Sequence, residues 1–409
     1  MIYRRRLVAL FFILVSSVVV APQELIHRSQ QSAAPAPVVI PFEVNSRHIL
    51  IKARINNSAP LTFILDTGDK VAIVNLARAT ALNLNLQGQL NIGGAGSGTL
   101  KGSFVRDAAL TVVGLEGNTE PVALAVPFKS LESRMGRVVD GIIGSDFMKK
   151  FVVEIDYQKH VLQLHDKDKF AYSGSGASIP LKLNSAGHAV IPAEFTVAGR
   201  APVKGNFVVD IGSAGSFALH SPIVEAEHLP PAELKTIRAL GGIGAGGKVT
   251  GRSGRIAALT IGQYRIEEPL TLFSSDKAGA FSSDEQQGNI GQRILSKFKI
   301  YFDYAHNRLI LEPNATFKAP IMPVGAGLVL VAEGADYKTF RIDDVLEDSP
   351  ATEAGLRKDD IILAVDSLPA AELTMWVLHE TFEQAVPHKV SVRRGTETLQ
   401  LVLTPRKII

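Results

Sequence analysis

Two acidic residues, each at the end of an apolar strand-like run, are the chain's candidates for chemistry. Phe63-Ile64-Leu65-Asp66-Thr67-Gly68 is built from strand-forming residues, stops abruptly at a carboxylate and has glycine two positions later. Phe207-Val208-Val209-Asp210-Ile211-Gly212-Ser213 repeats that pattern. A carboxylate at the mouth of a buried strand is costly unless something uses or pairs it. Two carboxylates held within a few ångströms cannot easily both ionise, so one keeps a proton, the other stays charged, and they titrate as a unit. The charged member could take a proton from an attacking water while the protonated member donates to the carbonyl oxygen under attack. Such chemistry calls for no metal, no cofactor and no covalent nucleophile.

The elements that would position these acids recur as well. After Asp66 come Gly94-Ala95-Gly96-Ser97-Gly98, Ala108-Ala109-Leu110-Thr111, Gly141-Ile142-Ile143-Gly144 and Glu154-Ile155-Asp156-Tyr157. After Asp210 come Gly242-Ile243-Gly244-Ala245-Gly246-Gly247, Ala257-Ala258-Leu259-Thr260, Gly288-Asn289-Ile290-Gly291 and Tyr301-Phe302-Asp303-Tyr304. The acids lie 144 residues apart, and the later landmarks keep their order at offsets of 147 to 149. Preserved order at a nearly constant offset indicates an internal duplication.

Asp-Thr-Gly after an apolar strand, repeated together with its glycine cluster and its apolar-apolar-glycine motif, resembles the aspartic peptidases. The duplication is similar to their bilobal members, with two retropepsin-like β lobes on one chain. The resemblance implies Asp66 and Asp210 as the catalytic pair, supported by Thr67, Gly68, Ile211, Gly212 and Ser213. It also implies hairpin flaps over a polypeptide substrate, at residues 93–102 with Gly94, Gly96 and Gly98, and at residues 241–251 with Gly244 and Gly246. Gly141, Gly144, Gly288 and Gly291 are read as packing and turn positions. The chain departs from the family in three places. Ile211 stands where a Thr or Ser hydroxyl would bond across the lobes, leaving a partner group unpaired. Asp69 adds a third acid, and the first flap has no tyrosine. A second reading therefore stays open, in which a non-catalytic pseudo-peptidase binds peptides or scaffolds a partner.

From residue 324 onward the sequence changes character. Gly325-Ala326-Gly327-Leu328-Val329-Leu330, Asp348-Ser349-Pro350-Ala351, Ala354-Gly355-Leu356 and Asp360-Ile361-Ile362-Leu363-Ala364-Val365-Asp366 together resemble a bacterial PDZ domain. Asp359 replaces a turn glycine common in such domains. The resemblance implies that an extended peptide adds to an open sheet edge, its C-terminal carboxylate held by the loop Gly325, Ala326, Gly327 and Leu328. The second wall of the groove would be a helix within residues 372–384, where Leu373, Trp376, Val377 and Glu380 have helical spacing, most of its apolar residues being core.

The expected architecture is thus mainly β: two lobes at residues 38–166 and 179–313, then a PDZ domain at 324–409. Residues 1–22, with three consecutive arginines before a 14-residue uncharged run, read as a secretory signal or an N-terminal anchor. Residues 23–37 read as a linker. The expectation is an exported protein, periplasmic or secreted, that meets a membrane only through that anchor. A net charge of +3 with no basic block beyond the N-terminus implies no nucleic-acid partner. Zero cysteines exclude disulfides and thiolate chemistry. No H-E-x-x-H or G-x-S-x-G occurs. Gly242, Gly244 and Gly247 have dinucleotide-loop spacing, but no helix pattern follows them.

Overall fold

The computed structural model describes residues 36–238, 242–321 and 325–409. The segment read as a signal or anchor, and nearly all of the linker after it, lie outside these residues. Among the described residues no helix is long and apolar enough to cross a membrane.

The architecture is mainly β, and the repeat seen in the sequence is a repeat of topology. In the first half, Leu61–Leu65 is buried at all five positions. It runs antiparallel to His48–Ile55 and parallel to Gly141–Ile143, with Gly141 opposite Phe63 and Ile143 opposite Leu65. In the second half, Val203–Val209 runs antiparallel to Ala189–Thr196 and parallel to Gly288–Ile290, with Gly288 opposite Phe207 and Ile290 opposite Val209. Burial on both faces explains why Phe63-Ile64-Leu65 and Phe207-Val208-Val209, the ends of the two strands next to the acids, are continuous apolar runs rather than alternating ones. The glycines that open the parallel strands mark close approaches. A Cβ on Gly141 would run into the Phe63 ring and come within 2.5 Å of the Ile73 carbonyl oxygen, and one on Gly288 would run into the Ala218 carbonyl.

One six-stranded antiparallel sheet joins the halves, in the order Val38–Pro41, Val161–His165, Val152–Asp156, Phe298–Asp303, Arg308–Pro313, Ala177–Pro180. Its central pair sets Glu154 opposite Tyr301, two residues at the 147-residue repeat offset, so the ladder lies on a local pseudo-twofold. Val153, Ile155, Ile300 and Phe302 point into a hydrophobic core that runs through both lobes. The opposite face carries Val152, Tyr301 and Ile310, covered by Phe170 and Tyr172 from the segment between the lobes. That segment, residues 167–178 between the two expected lobes, is therefore packed. The rings of Phe170 and Tyr172 lie 6.0 and 5.3 Å from that of Tyr301.

The C-terminal segment forms its own sheet, in the order Leu328–Glu333, Thr339–Val345, Ile361–Val365, His388–Arg394, Glu397–Leu403, around a separate core that includes Leu330, Phe340, Leu356 and Val390. Leu328–Glu333 is its edge strand. The helix Met375–Thr381 buries Met375 and Leu378, and Leu373 just before it is core; Trp376 and Val377 are half-buried and Glu380 is exposed. Asp359 takes up the left-handed conformation of the glycine it replaces, φ 68°, and its carboxylate bonds Arg341 at 3.0 Å. This segment also rests on both lobes. Glu383 accepts from Arg47 of the first lobe at 2.7 Å and from Arg293 of the second at 2.8 Å.

Gly141→Ala should lower unfolding stability by about 1–3 kcal/mol, because an added methyl has no room without shifting the two strands beside it. Urea unfolding of parent and variant, compared at equal slope, measures this.

Candidate active site

Each acid is fixed by the strand that leads to it and the parallel strand beside it. The N–H of Asp66 bonds the carbonyl of Ile143 at 3.0 Å, and that of Asp210 bonds Ile290 at 2.9 Å. Beyond each acid the chain turns, and the turn amides fold back onto the carboxylate. Asp66 Oδ1 accepts from Gly68 N at 2.7 Å. Asp210 Oδ1 accepts from Gly212 N at 3.0 Å and Ser213 N at 2.9 Å, and Asp210 Oδ2 accepts from Asn289 Nδ2 at 3.0 Å. The two turns face each other. A Cβ on Gly68 would lie 2.9 Å from Asp210 Oδ1 and 3.0 Å from Asp66 Oδ1, and one on Gly212 would fall on the Asp66 carboxyl itself. Both positions require glycine for that reason.

Thr67 ties the turns together. Its hydroxyl donates to the Val209 carbonyl at 2.6 Å and accepts from the N–H of Ile211 at 3.0 Å, all within buried surroundings. Ile211 is fully buried at the matching position of the other lobe, and its carbonyl accepts from Gln292 Nε2 at 2.8 Å. The grip is thus one-sided, as the sequence anticipates, while both backbone groups of Ile211 are bonded.

Burial, and after it the charges of Asp210 and Asp69, hold the Asp66 carboxyl well above its ordinary value. Burial raises Asp210 as well, opposed by the Asn289 amide, the Ser213 and Gly212 N–H groups and the nearby His188. Asp69 also faces the pair. Burial and then the charge of Asp210 push it up to about 6. Three acids therefore share one low-dielectric floor, and the donors cluster around Asp210.

The two glycine-rich tips meet each other. Strands Asn85–Ile92 and Leu100–Arg106 carry the first, and the short hairpin of Ile243–Gly244 with Gly247–Lys248 is the second. Gly98 N bonds Gly246 O at 2.7 Å, Gly246 N bonds Ala95 O at 2.8 Å, and Ala280 N bonds Gly94 O at 2.9 Å. A Cβ on Gly94 would stand 3.0 Å from that of Ala245, while on Gly96, Gly244 or Gly246 it would press into the opposing backbone. Gly241, at the expected start of the second flap, lies outside the described residues. At the PDZ-like loop, Gly325 pairs with Arg406, the Ala326 carbonyl accepts from Ala351 N at 2.9 Å, and Gly327, φ 78°, packs on Ser349. Leu328 opens the edge strand opposite Val345.

Three neighbours of the acids were not singled out by the sequence reading. Asn289 sits among glycines that read as packing residues, at the position where the first lobe has Ile142. His188 lies near Asp210. His48 is half-buried, and its partial removal from water pushes its imidazole down, opposed by the nearby backbone of Ser46, Asn45 and Gly212. An amide breaking an apolar repeat was the available signal for Asn289; nothing local marks the histidines.

Residues 51–147 match the aspartyl protease family model, and residues 341–392 match a PDZ domain model. The chain carries an aspartyl protease domain followed by a C-terminal PDZ domain. No curated protein matches it. The aspartyl protease match contains Asp66, Thr67, Gly68, Gly141 and Gly144, and ends before Asp210. It was the internal repeat that pointed to the second acid, and the fold sets that acid against the matched domain.

Thr67→Val should destabilise the fold by about 1–3 kcal/mol for each of the two backbone groups it strands, read by chemical denaturation. Asp69→Asn should raise Tm at pH 7. At that pH Asp69 is ionised both folded and unfolded, and the folded state carries the burden of holding the charge. The gain should shrink as pH falls from about 6 and vanish below the unfolded value of 3.8, where both states are protonated, as a series of thermal melts would record.

Proposed function

We propose that this chain is an aspartic endopeptidase in which Asp66 and Asp210 activate a water against a peptide bond. The observation that carries the proposal is the mutual approach of the two acids, each carboxylate lying against the other turn's glycine. The donors around Asp210 favour its charged form, and the burial and neighbouring charges at Asp66 favour retention of a proton there. A water between them loses a proton to Asp210 as its oxygen bonds the peptide carbon, while Asp66 gives its proton to the carbonyl oxygen. One hydroxyl of the tetrahedral carbon then returns its proton to Asp66 as the carbonyl re-forms and the C–N bond breaks, and the leaving nitrogen takes the proton held by Asp210, which restores the starting pair. The substrate lies extended beneath the two glycine tips, which must part to admit it. The PDZ domain supplies peptide recognition, and the arginine-led N-terminus suits export to the periplasm or beyond.

Ile211 favours a second reading. With one of the two cross-lobe hydroxyls absent, the lobes could hold a peptide without cutting it.

Cleavage of an unstructured protein from pH 3 to 8 by the purified chain separates these readings. Asp66→Asn and Asp210→Asn should each reduce activity to background while leaving thermal stability at or above that of the parent. A parent that binds peptides and cuts none at any pH would establish the pseudo-peptidase instead.

A further inference from the structure

The peptide groove of the PDZ domain lies between the edge strand Leu328–Glu333 and the helix Met375–Thr381, and a helix of the first lobe already stands in it. Lys129–Met135 packs against both elements. Ser133 Oγ donates to the Ala332 carbonyl at 2.7 Å, on the strand to which an added peptide would make its main-chain bonds. Gly136 ends this helix at φ 66°, so close to the groove that a Cβ would come 2.7 Å from that of Met375 and 3.6 Å from that of Ala332. The Lys129 ammonium lies 4.6 Å from the centre of the Tyr337 ring.

Two sets of contacts connect this docked helix to the cleft. Glu132 is shared between the domains. Its Oε2 accepts from the Tyr337 hydroxyl at 2.8 Å, and its Oε1 accepts from Asn75 Nδ2 at 3.0 Å and Val139 N at 3.2 Å. Val139 and Asp140 lead directly into Gly141–Ile143, the strand whose last carbonyl holds Asp66. The second set runs through two acids on the PDZ strand Thr339–Val345. Asp343 meets Arg134 of the docked helix at 3.1 Å and Lys248 of the second flap at 3.4 Å, with Arg341 of its own strand at 3.5 Å. Asp344 takes both terminal nitrogens of Arg238, on the Thr236–Arg238 strand, at 2.7 and 3.1 Å. One PDZ strand thus holds both the docked helix, through Arg134, and the second glycine hairpin, through Lys248.

We propose that the PDZ domain is a latch set from within the chain: the Lys129–Met135 helix masks the peptide groove, and an extended peptide with a free C-terminal carboxylate that displaces this helix releases the second flap. The carboxylate would be met by the loop Gly325, Ala326, Gly327 and Leu328, with the half-buried Leu328 favouring an apolar last residue. The inference deepens the peptidase reading by naming what opens its cleft, yet the masking itself involves no catalysis. A groove open only a fraction of the time shows a dissociation constant raised by the inverse of that fraction, so a mask in place nine-tenths of the time weakens binding about tenfold.

The test uses the full chain carrying Asp66→Asn, so that cleavage does not enter. Fluorescein-labelled decapeptides ending in Val, Leu or Phe with free carboxylates are titrated by anisotropy, with amidated copies as controls. The charge-reversed chain Asp343→Lys/Asp344→Lys should bind the free-acid peptides at least about tenfold more tightly. Adding Arg134→Glu, Arg238→Glu and Lys248→Glu should restore the weak binding, which a merely misfolded variant would not do. Hydrogen exchange is followed in parallel at the N–H groups of Gly98 and Gly246, and saturating peptide should speed both in the Asp66→Asn chain. Equal affinity before and after charge reversal, including no binding by either chain, would overturn the proposal. So would flap amides that stay equally protected with peptide bound. Neither result bears on whether Asp66 and Asp210 cut, which the cleavage assay decides separately.

Discussion

Two carboxylates can face each other on the floor of a cleft only while the lobes that carry them keep a single registration. The pairing of Val153, Glu154 and Ile155 with Phe302, Tyr301 and Ile300 sets that registration, and the Thr67 hydroxyl fixes it locally beneath the acids. The arrangement works against the acids' own preference, since burial raises both above their ordinary values and the charges of Asp210 and Asp69 add to the rise at Asp66. The cores on either side hold them there. Phe63, Phe195, Phe207, Phe298 and Phe302 are among the largest fully buried side chains, each contributing about 1.5–3 kcal/mol through burial. Most belong to the motif strands or to the sheet that joins the lobes, so the residues that position the acids also stabilise the fold against their presence.

What the sequence made legible was whatever repeats or whatever geometry forces locally. An acid after an apolar run, a glycine two residues on and a constant offset identified the strands, the turns and the second acid. The glycine clusters were legible as places where backbones come close, because only glycine lets two backbones touch, although the sequence does not say that the two tips touch each other. The packing of the inter-lobe segment by Phe170 and Tyr172 was not legible, since two aromatics in a polar stretch have no period. Nor was Asn289, which interrupts an apolar motif without any local sign of what it bonds. The contacts of Glu132 with Tyr337, or of Glu383 with Arg47 and Arg293, join residues 90 to 336 positions apart and leave no trace in composition or spacing.

The PDZ domain alters how the lobes should be regarded. A tethered recognition module would touch its enzyme through a linker and a few rim charges, each worth less than about 1 kcal/mol. Here Glu383 takes one arginine from each lobe, and Glu132 and Ser133 place first-lobe groups against Tyr337 and the edge strand. The domain packs as a third wall of the molecule, joined to the second glycine hairpin by Asp343 and to the strand Thr236–Arg238 by Asp344.

Thr67 and Ile211 occupy matching places in the two lobes, one with a hydroxyl and one without. A homodimer built from a single lobe is bound by its twofold axis to present the same residue twice, so it would have both hydroxyls or neither. Fusion into one chain lifts that obligation. Each half can then be fitted to its own neighbours: Thr67 to the backbone across the interface, Ile211 to the apolar core with its carbonyl bonded by Gln292, and Asn289 to one acid alone. Inequality between the halves lets a symmetric ladder carry an uneven pair, with hydrogen-bond donors gathered around Asp210 and neighbouring acid charges acting on Asp66.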